Sequence, residues 1–165
     1  MLFALTAQDA ERILACPGDD DVIALVEEVE DRWDMDHLFE LDKSWDALHR
    51  CFTDGDLAFE NGEYPLSHVI LGGVPLHEGD DYIVCYVASD QVREVAAALE
   101  PLDNQWLSNR FAMLTLDAYQ GTGDAEEIAY TQAFLPGLIR RSGNWPAIGL
   151  RLLSWMLFHS STGCS

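Results

Sequence analysis

All 29 acidic side chains of this 165-residue chain lie at or before Glu127, and the last 38 residues contain none. The two parts therefore face different folding problems. Residues 1–127 set only six basic side chains against those 29 acids, so their elements must be two-faced, with charge outward and apolar groups inward. The last 38 residues carry Arg140, Arg141 and Arg151, no acid, and a strongly apolar stretch over residues 145–158. That stretch reads as a core helix or strand covered by the acidic body, in preference to an exposed interaction tail. Its fourteen residues, interrupted by Arg151, are too few for a membrane-spanning helix, which takes about 20.

The formal charge of −20 argues against nucleic acid and anionic membranes as partners, because both require a basic footprint. Apolar residues make up 48% of the chain and charged residues 23%, enough apolar material for one ordinary folded domain of this length. The opening residues Met1-Leu2-Phe3-Ala4-Leu5 lack the basic flank of an export signal, so the expected compartment is cytoplasmic. Cys16, Cys51, Cys85 and Cys164 contain no C-x-x-C pair and lie at least 34 residues apart. They read as reduced, mostly buried thiols.

Along the chain, Thr6 is placed to cap a short helix through Ala10, Ile13 and Leu14, ended by Pro17-Gly18. Asp19, Asp20 and Asp21 suit the start of a second helix, with Val22, Leu25, Val26, Val29 and Trp33 inward and Glu27, Glu28, Glu30 and Asp31 outward. A third helix is expected from Asp42 as N-cap, carrying Trp45, Leu48 and Phe52 inward before Gly55. Residues 57–64 read as loop with a short strand, and Pro65 opens a short helix closed by Gly72-Gly73. Residues 82–87 are aromatic and β-branched and form the best strand. Helices follow from Ser89 through Leu99, around Trp106 and Leu107, and from Ala125 to Ile139 with Pro136 inside it.

Motifs that carry chemistry are scarce. Asp34-x-Asp36-His37 groups two carboxylates and an imidazole but lacks the spacing of a recognised metal site, so no metal and no cofactor are expected. Ser67-His68 are neighbours on an expected helix, where their side chains diverge, and His49 and Cys51 face apart for the same reason. The densest constellation is Asp42-Lys43-Ser44-Trp45-Asp46-Ala47-Leu48-His49. On one helix Trp45 and His49 share a face, so Asp42, Lys43, Trp45 and His49 are candidate pocket residues. The structural alternative has Asp42 capping, Trp45 packing and His49 bonded to a carbonyl or carboxylate.

That segment, with Pro65-Leu66 and Ile70-Leu71-Gly72-Gly73 downstream and the strand and helix after them, resembles the YfbM-like family of uncharacterised bacterial proteins over about residues 1–138. The resemblance implies a small cytoplasmic α+β domain and no established activity. Two features depart from the family pattern: Gln120-Gly121 follow Tyr119 where members show I-Y-P, and residues 141–146 intervene where members continue with an amphipathic helix and a closing strand.

The expected architecture is one α+β domain over residues 1–165, a small mixed sheet covered by several amphipathic helices, with an atypical acid-free segment from about residue 128. For function, the first expectation is a non-catalytic acidic protein, such as a cytoplasmic immunity protein that blocks a basic toxin. Its partner-binding candidates are Glu27, Glu28, Glu30, Trp33 and Phe39. The alternative is a small enzyme or ligand binder with a pocket near Trp45 and His49. Acidity as adaptation to high salt is a third reading that needs no partner.

Overall fold

A computed structural model describes residues 1–154 apart from 33, 60, 80–81, 116–118 and 146–148. The elements in chain order are β1 (Leu2–Phe3), α1 (Ala7–Leu14), α2 (Asp19–Asp31), β2 (Leu38–Phe39), α3 (Ser44–Phe52), a 3-10 turn (Leu66–His68), β3 (Val74–Glu78), β4 (Tyr82–Val87), α4 (Ser89–Leu99), α5 (Asn104–Ala112), α6 (Ala125–Asn144) and β5 (Gly149–Ser154). This is the expected α+β class with helices covering one small sheet. The strand order is β2-β1-β5-β4-β3. Every described pairing is antiparallel where a mixed sheet was expected. The reason is β5, which runs against both of its neighbours and so leaves no parallel contact in the sheet.

Strand alternation sorts side chains into two cores. On one face Phe3, Leu5, Leu38 and Val84 meet Ala10 and Ile13 of α1 and Val22, Leu25 and Val26 of α2. On the other, Leu2, Ala4 and Val87 join the larger core built from α3, α4, α5 and α6, with Leu48, Val95, Leu99, Leu107, Leu135 and Leu138 essentially inaccessible. Each such leucine contributes about 1.5–3 kcal/mol by leaving water. Trp145, just past α6, is buried in this second core. The acid-free segment thus contributes most of a long helix, a core tryptophan and a central strand. Residues 146–148 and 155–158 of the apolar stretch lie outside the described residues.

Local expectations hold where a cap or a period sets them. Thr6 accepts from the Asp9 amide and opens α1, Asp103 and Asp124 do the same for α5 and α6, and three aspartates fill the first turn of α2. Two starts differ. Asp42 has a left-handed backbone (φ 44°), a conformation that cannot serve as an N-cap, so Lys43 precedes α3 in its place, one residue later than expected, and the Ser44 hydroxyl donates to the Leu41 carbonyl at 2.5 Å. Ala88, in extended conformation, precedes α4 in place of Ser89, and its amide donates to the Gln91 side chain at 3.3 Å. The described residues of 57–64 contain no strand, whereas β1, β2 and β3 were not foreseen. α6 continues past Pro136 to Asn144, so residues 141–144 of the segment that departs from the family pattern extend the helix, and a strand, β5, follows in the middle of the sheet.

One charge network ties the α1–α2 layer together. Asp9, only 4% exposed, receives both terminal nitrogens of Arg32 at 2.5 and 3.1 Å and Arg12 at 3.3 Å. Glu28 receives Arg12 in bidentate fashion at 2.9 and 2.7 Å and Arg32 at 2.8 Å. The hydrogen bond from Arg32 holds the Asp9 carboxyl below its ordinary 3.8. Because the folded value is depressed, this stabilisation is complete above that ordinary value and fades as pH falls through the folded one. Asp9→Asn keeps the shape and removes the charge. Since the two arginines are partly solvated, the cost at neutral pH should be about 1–2 kcal/mol, with a shallower loss of stability in acid. Thermal melts from pH 7 to pH 2 measure both; an unchanged melting temperature and acid limb contradict the assignment.

Candidate functional site

The constellation at the start of α3 divides into three environments. Asp42 and Lys43 are exposed, and the Tyr130 hydroxyl of α6 donates to the Asp42 carboxylate. Lys43 lines a groove of about 380 Å³ with Tyr119, Thr122, Glu127, Tyr130 and Thr131. There the Tyr119 hydroxyl donates to Glu127 at 2.6 Å, and the Gly123 amide donates to the second oxygen of the same carboxylate at 2.5 Å. Arg50, itself buried, lies 5.5 Å over the Tyr119 ring and donates to Asp46 at 2.6 Å and the Gly55 carbonyl at 3.1 Å. Burial, reinforced by Glu127, drives the Tyr119 hydroxyl up in pKa. Burial and Asp42 push Tyr130 up to about 12. Both therefore stay protonated at neutral pH and act as hydrogen-bond donors.

Trp45 and His49 take no part in lining this groove. Trp45 is half-buried against the larger core. His49 is 1% exposed, and its Nε2 lies 2.8 Å from the Ala58 carbonyl and 2.7 Å from Asn61 Oδ1. Two acceptors on one nitrogen assign the proton to Nε2. The buried Nδ1 has no hydrogen-bond partner among the described residues. Asn61 in turn donates to Thr53 Oγ1 at 3.1 Å, to the Asp56 carbonyl at 2.9 Å and to the Asp54 carboxylate. Thr53 closes the network by donating to the His49 carbonyl at 2.7 Å. The structure thus separates the four residues expected to share a pocket: Lys43 lines a groove, Asp42 accepts from Tyr130 beside it, Trp45 packs, and His49 fastens the loop after α3.

Other reactive groups are similarly engaged. Ser67 and His68, expected to diverge, do meet, Oγ to Nδ1 at 3.0 Å, within the 3-10 turn Leu66–His68. Ser67 is buried there. Burial pushes the Cys51 thiol up to about 12, which removes it as a thiolate nucleophile. Cys16 is half-buried and Cys85 buried, both as free thiols. His37 Nδ1 and the Asp36 amide both bond Asp34, at 2.7 and 3.1 Å, in a local turn. Among the described residues no group of three or more His, Cys, Asp or Glu side chains is arranged to hold a metal, and no helix is long and apolar enough to cross a membrane.

The second candidate surface, on α2, is also sorted by the fold. Glu27 is exposed, but Glu28 is spent on Arg12 and Arg32, and these hydrogen bonds lower its pKa to about 2. Glu30 is half-buried, and burial raises its pKa. Phe39 is no exposed anchor: it packs with the larger core, and its ring would lie 2.9 Å from a Cβ placed on Gly137 of α6. It therefore sits on the opposite side of the sheet from α2. Trp33 lies outside the described residues. What remains outward on α2 is Asp20, Asp21, Glu27 and Asp31, all exposed and without an ion pair among the described residues, with Asp20, Glu27 and Asp31 spaced as one helical stripe.

The groove partners Tyr119, Glu127 and Tyr130 come from a segment more than seventy residues beyond Lys43, and nothing local in the sequence marks them. A family model for a domain of unknown function, DUF1877, matches residues 1–136. No curated protein and no solved structure matches the chain.

His49 supplies a direct test of its fastening role. Burial holds its pKa below the ordinary 6.5, so its contribution to stability is complete above that value and declines as pH falls toward the folded one. His49→Gln should flatten the part of the stability profile just below pH 6.5. Asn61→Ala should cost about 1–3 kcal/mol at neutral pH by stranding buried polar partners. Denaturant melts across that pH range decide the point; a wild-type slope retained in His49→Gln contradicts it.

Proposed function

This chain belongs to the DUF1877 family of domains of unknown function, and from that premise we propose that it is a non-catalytic, cytoplasmic acidic binding protein. In this reading it covers the basic surface of a toxin-like partner, as an immunity protein does. The observation that carries the reading is the stripe of Asp20, Glu27 and Asp31, exposed and unpaired while the neighbouring acids Asp9 and Glu28 are consumed internally. The stripe is held at fixed spacing because Val22, Leu25 and Val26 bury the inner face of the same helix. A rigid field of one sign accelerates encounter with a basic surface, and affinity then needs a few apolar anchors. Met35, 54% exposed just beyond α2, takes the anchoring role that Phe39 cannot fill.

A second reading rests on the groove between α3 and α6. Two protonated tyrosines, Lys43 and Glu127 offer donors and both charge signs to a small polar ligand. It requires no conventional nucleophile, and the burial of Cys51 and His49 offers none there.

The test uses a purified basic protein encoded beside this gene. Asp20→Lys, Glu27→Lys and Asp31→Lys together should slow association by at least about tenfold at low salt, with the wild-type rate falling steeply as salt rises. Glu28→Lys should instead lower the melting temperature, because it breaks the arginine network. Association indifferent to both salt and the triple reversal would remove the proposal.

A further inference from the structure

The loop that His49 fastens holds the only Asn-Gly step of the sequence, Asn61-Gly62. In such a step the glycine amide nitrogen can attack the asparagine side-chain carbonyl carbon. The five-membered ring closes by torsions within the asparagine, and no Cβ hinders the attacking nitrogen. The fold itself requires glycine here: its φ is +79°, and a Cβ would fall 2.7 Å from Thr53 Cα. Gly62 is exposed, so water reaches the site.

The atoms that change charge or protonation in this cyclisation already have partners. Asn61 Oδ1, where the oxyanion develops, lies 2.7 Å from His49 Nε2, the protonated ring nitrogen, which it shares with the Ala58 carbonyl. A donor fixed where charge develops is a strong lever on such a step. The Gly62 amide, which must lose its proton, bonds the Asp54 carboxyl, and so does the leaving nitrogen, Asn61 Nδ2. These bonds, that of the Asn61 side chain foremost, hold the Asp54 carboxyl below its ordinary 3.8, so it is ionised at neutral pH. One carboxylate therefore touches both the nitrogen that loses a proton and the nitrogen that gains one. Asn61 Nδ2 also faces Thr53 Oγ1 at 3.1 Å and the Asp56 carbonyl at 2.9 Å. An amide offers two hydrogens to these three acceptors, whereas departing ammonia offers three. The surroundings suit the leaving group better than the ground state, which is the condition for acceleration.

We propose that Asn61-Gly62 is a self-modifying site, at which the Gly62 nitrogen displaces ammonia from Asn61 Cγ and water then opens the resulting succinimide to aspartate or isoaspartate. The bond from Gly62 N to Cγ forms, the bond from Cγ to Nδ2 breaks, and nothing is oxidised or reduced. Asp54 takes the Gly62 amide proton and delivers it to Nδ2, while the His49 Nε2 proton holds the oxyanion. Water is the co-reactant of the second step. The new carboxylate has no hydrogen to donate to Asp54, Thr53 or the Asp56 carbonyl, so conversion releases the loop from α3.

Peptide mapping of the full chain after incubation at neutral pH reads the conversion. The signals are the mass gain of an amide that becomes an acid and the chromatographic split between aspartyl and isoaspartyl peptides. Conversion at Asn61 should be at least about tenfold faster in the folded chain than in the same chain unfolded in guanidinium chloride. An Asn-Gly step that the fold merely restrains gives the reverse order. Asp54→Ala, at an exposed position, should slow the folded rate by at least about tenfold. His49→Phe removes the oxyanion donor and should slow it by a similar factor. Circular dichroism shows whether each variant is folded, and the folded-against-unfolded comparison decides the point without either of them. Asn61→Asp, which is one of the products, should melt below the wild type. A folded chain that converts no faster than the unfolded one, or a folded Asp54→Ala variant that keeps the wild-type rate, overturns the proposal; an Asn61→Asp variant as stable as the wild type overturns the release of the loop.

Discussion

The pairing of β5 with β4 on one side and β1 on the other is the contact on which the architecture depends. β1 and β2 are only two residues long, far too short to hold a position by themselves. Through β5 they join the longer β3–β4 pair and become one surface. Only a continuous surface can present Phe3 and Val84 to the α1–α2 layer while presenting Leu2 and Val87 to the layer of α3 to α6. Both hydrophobic cores therefore rest on a strand from the acid-free end of the chain.

The acidity of the rest is handled by giving carboxylates structural work. Asp103 and Asp124 cap helices, where the positive end of the macrodipole favours them. Asp9 and Glu28 use two of the few arginines to join α1 to α2. Asp9 matters most of these because it is buried, and a buried carboxylate without partners would be costly; exposed pairs contribute little. Asp20, Glu27 and Asp31 of α2 enter no ion pair among the described residues and face solvent as a stripe.

Histidine and tyrosine chemistry follows the same division between structure and surface. His49 looks reactive in sequence because it shares a helix with Lys43 and Trp45. In three dimensions its Nε2 is committed to Ala58 and Asn61, and it fastens a loop. Tyr119 and Tyr130 carry no sequence signature, yet both line the groove beside Lys43: Tyr130 because α6 packs along α3, and Tyr119 through its hydrogen bond to Glu127 of α6. Ser67 and His68, expected to diverge on a helix, come within bonding distance in a 3-10 turn.

Sequence alone determined what depends on nearest neighbours along the chain. The apolar period of α2, the Thr6 cap and the β-branched run of β4 are local signals, and each element formed where its signal lies. The charge argued against nucleic-acid and membrane partners, and the apolar end of the chain read as core; of that end, Trp145 is buried and β5 lies inside the strand order. Tertiary structure decided everything that needed a distant partner. It alone made strands of β1 and β2, whose two-residue runs have no period to read, and it set the antiparallel order through β5. It also placed Asp42 in a left-handed conformation against Tyr130, moving the start of α3. Finally it ruled which acids and which histidine were already spent. The physical reason is that a cap or an amphipathic period is satisfied within one helical turn, whereas a ladder, a groove or an ion pair exists only when the fold has brought its second half into reach.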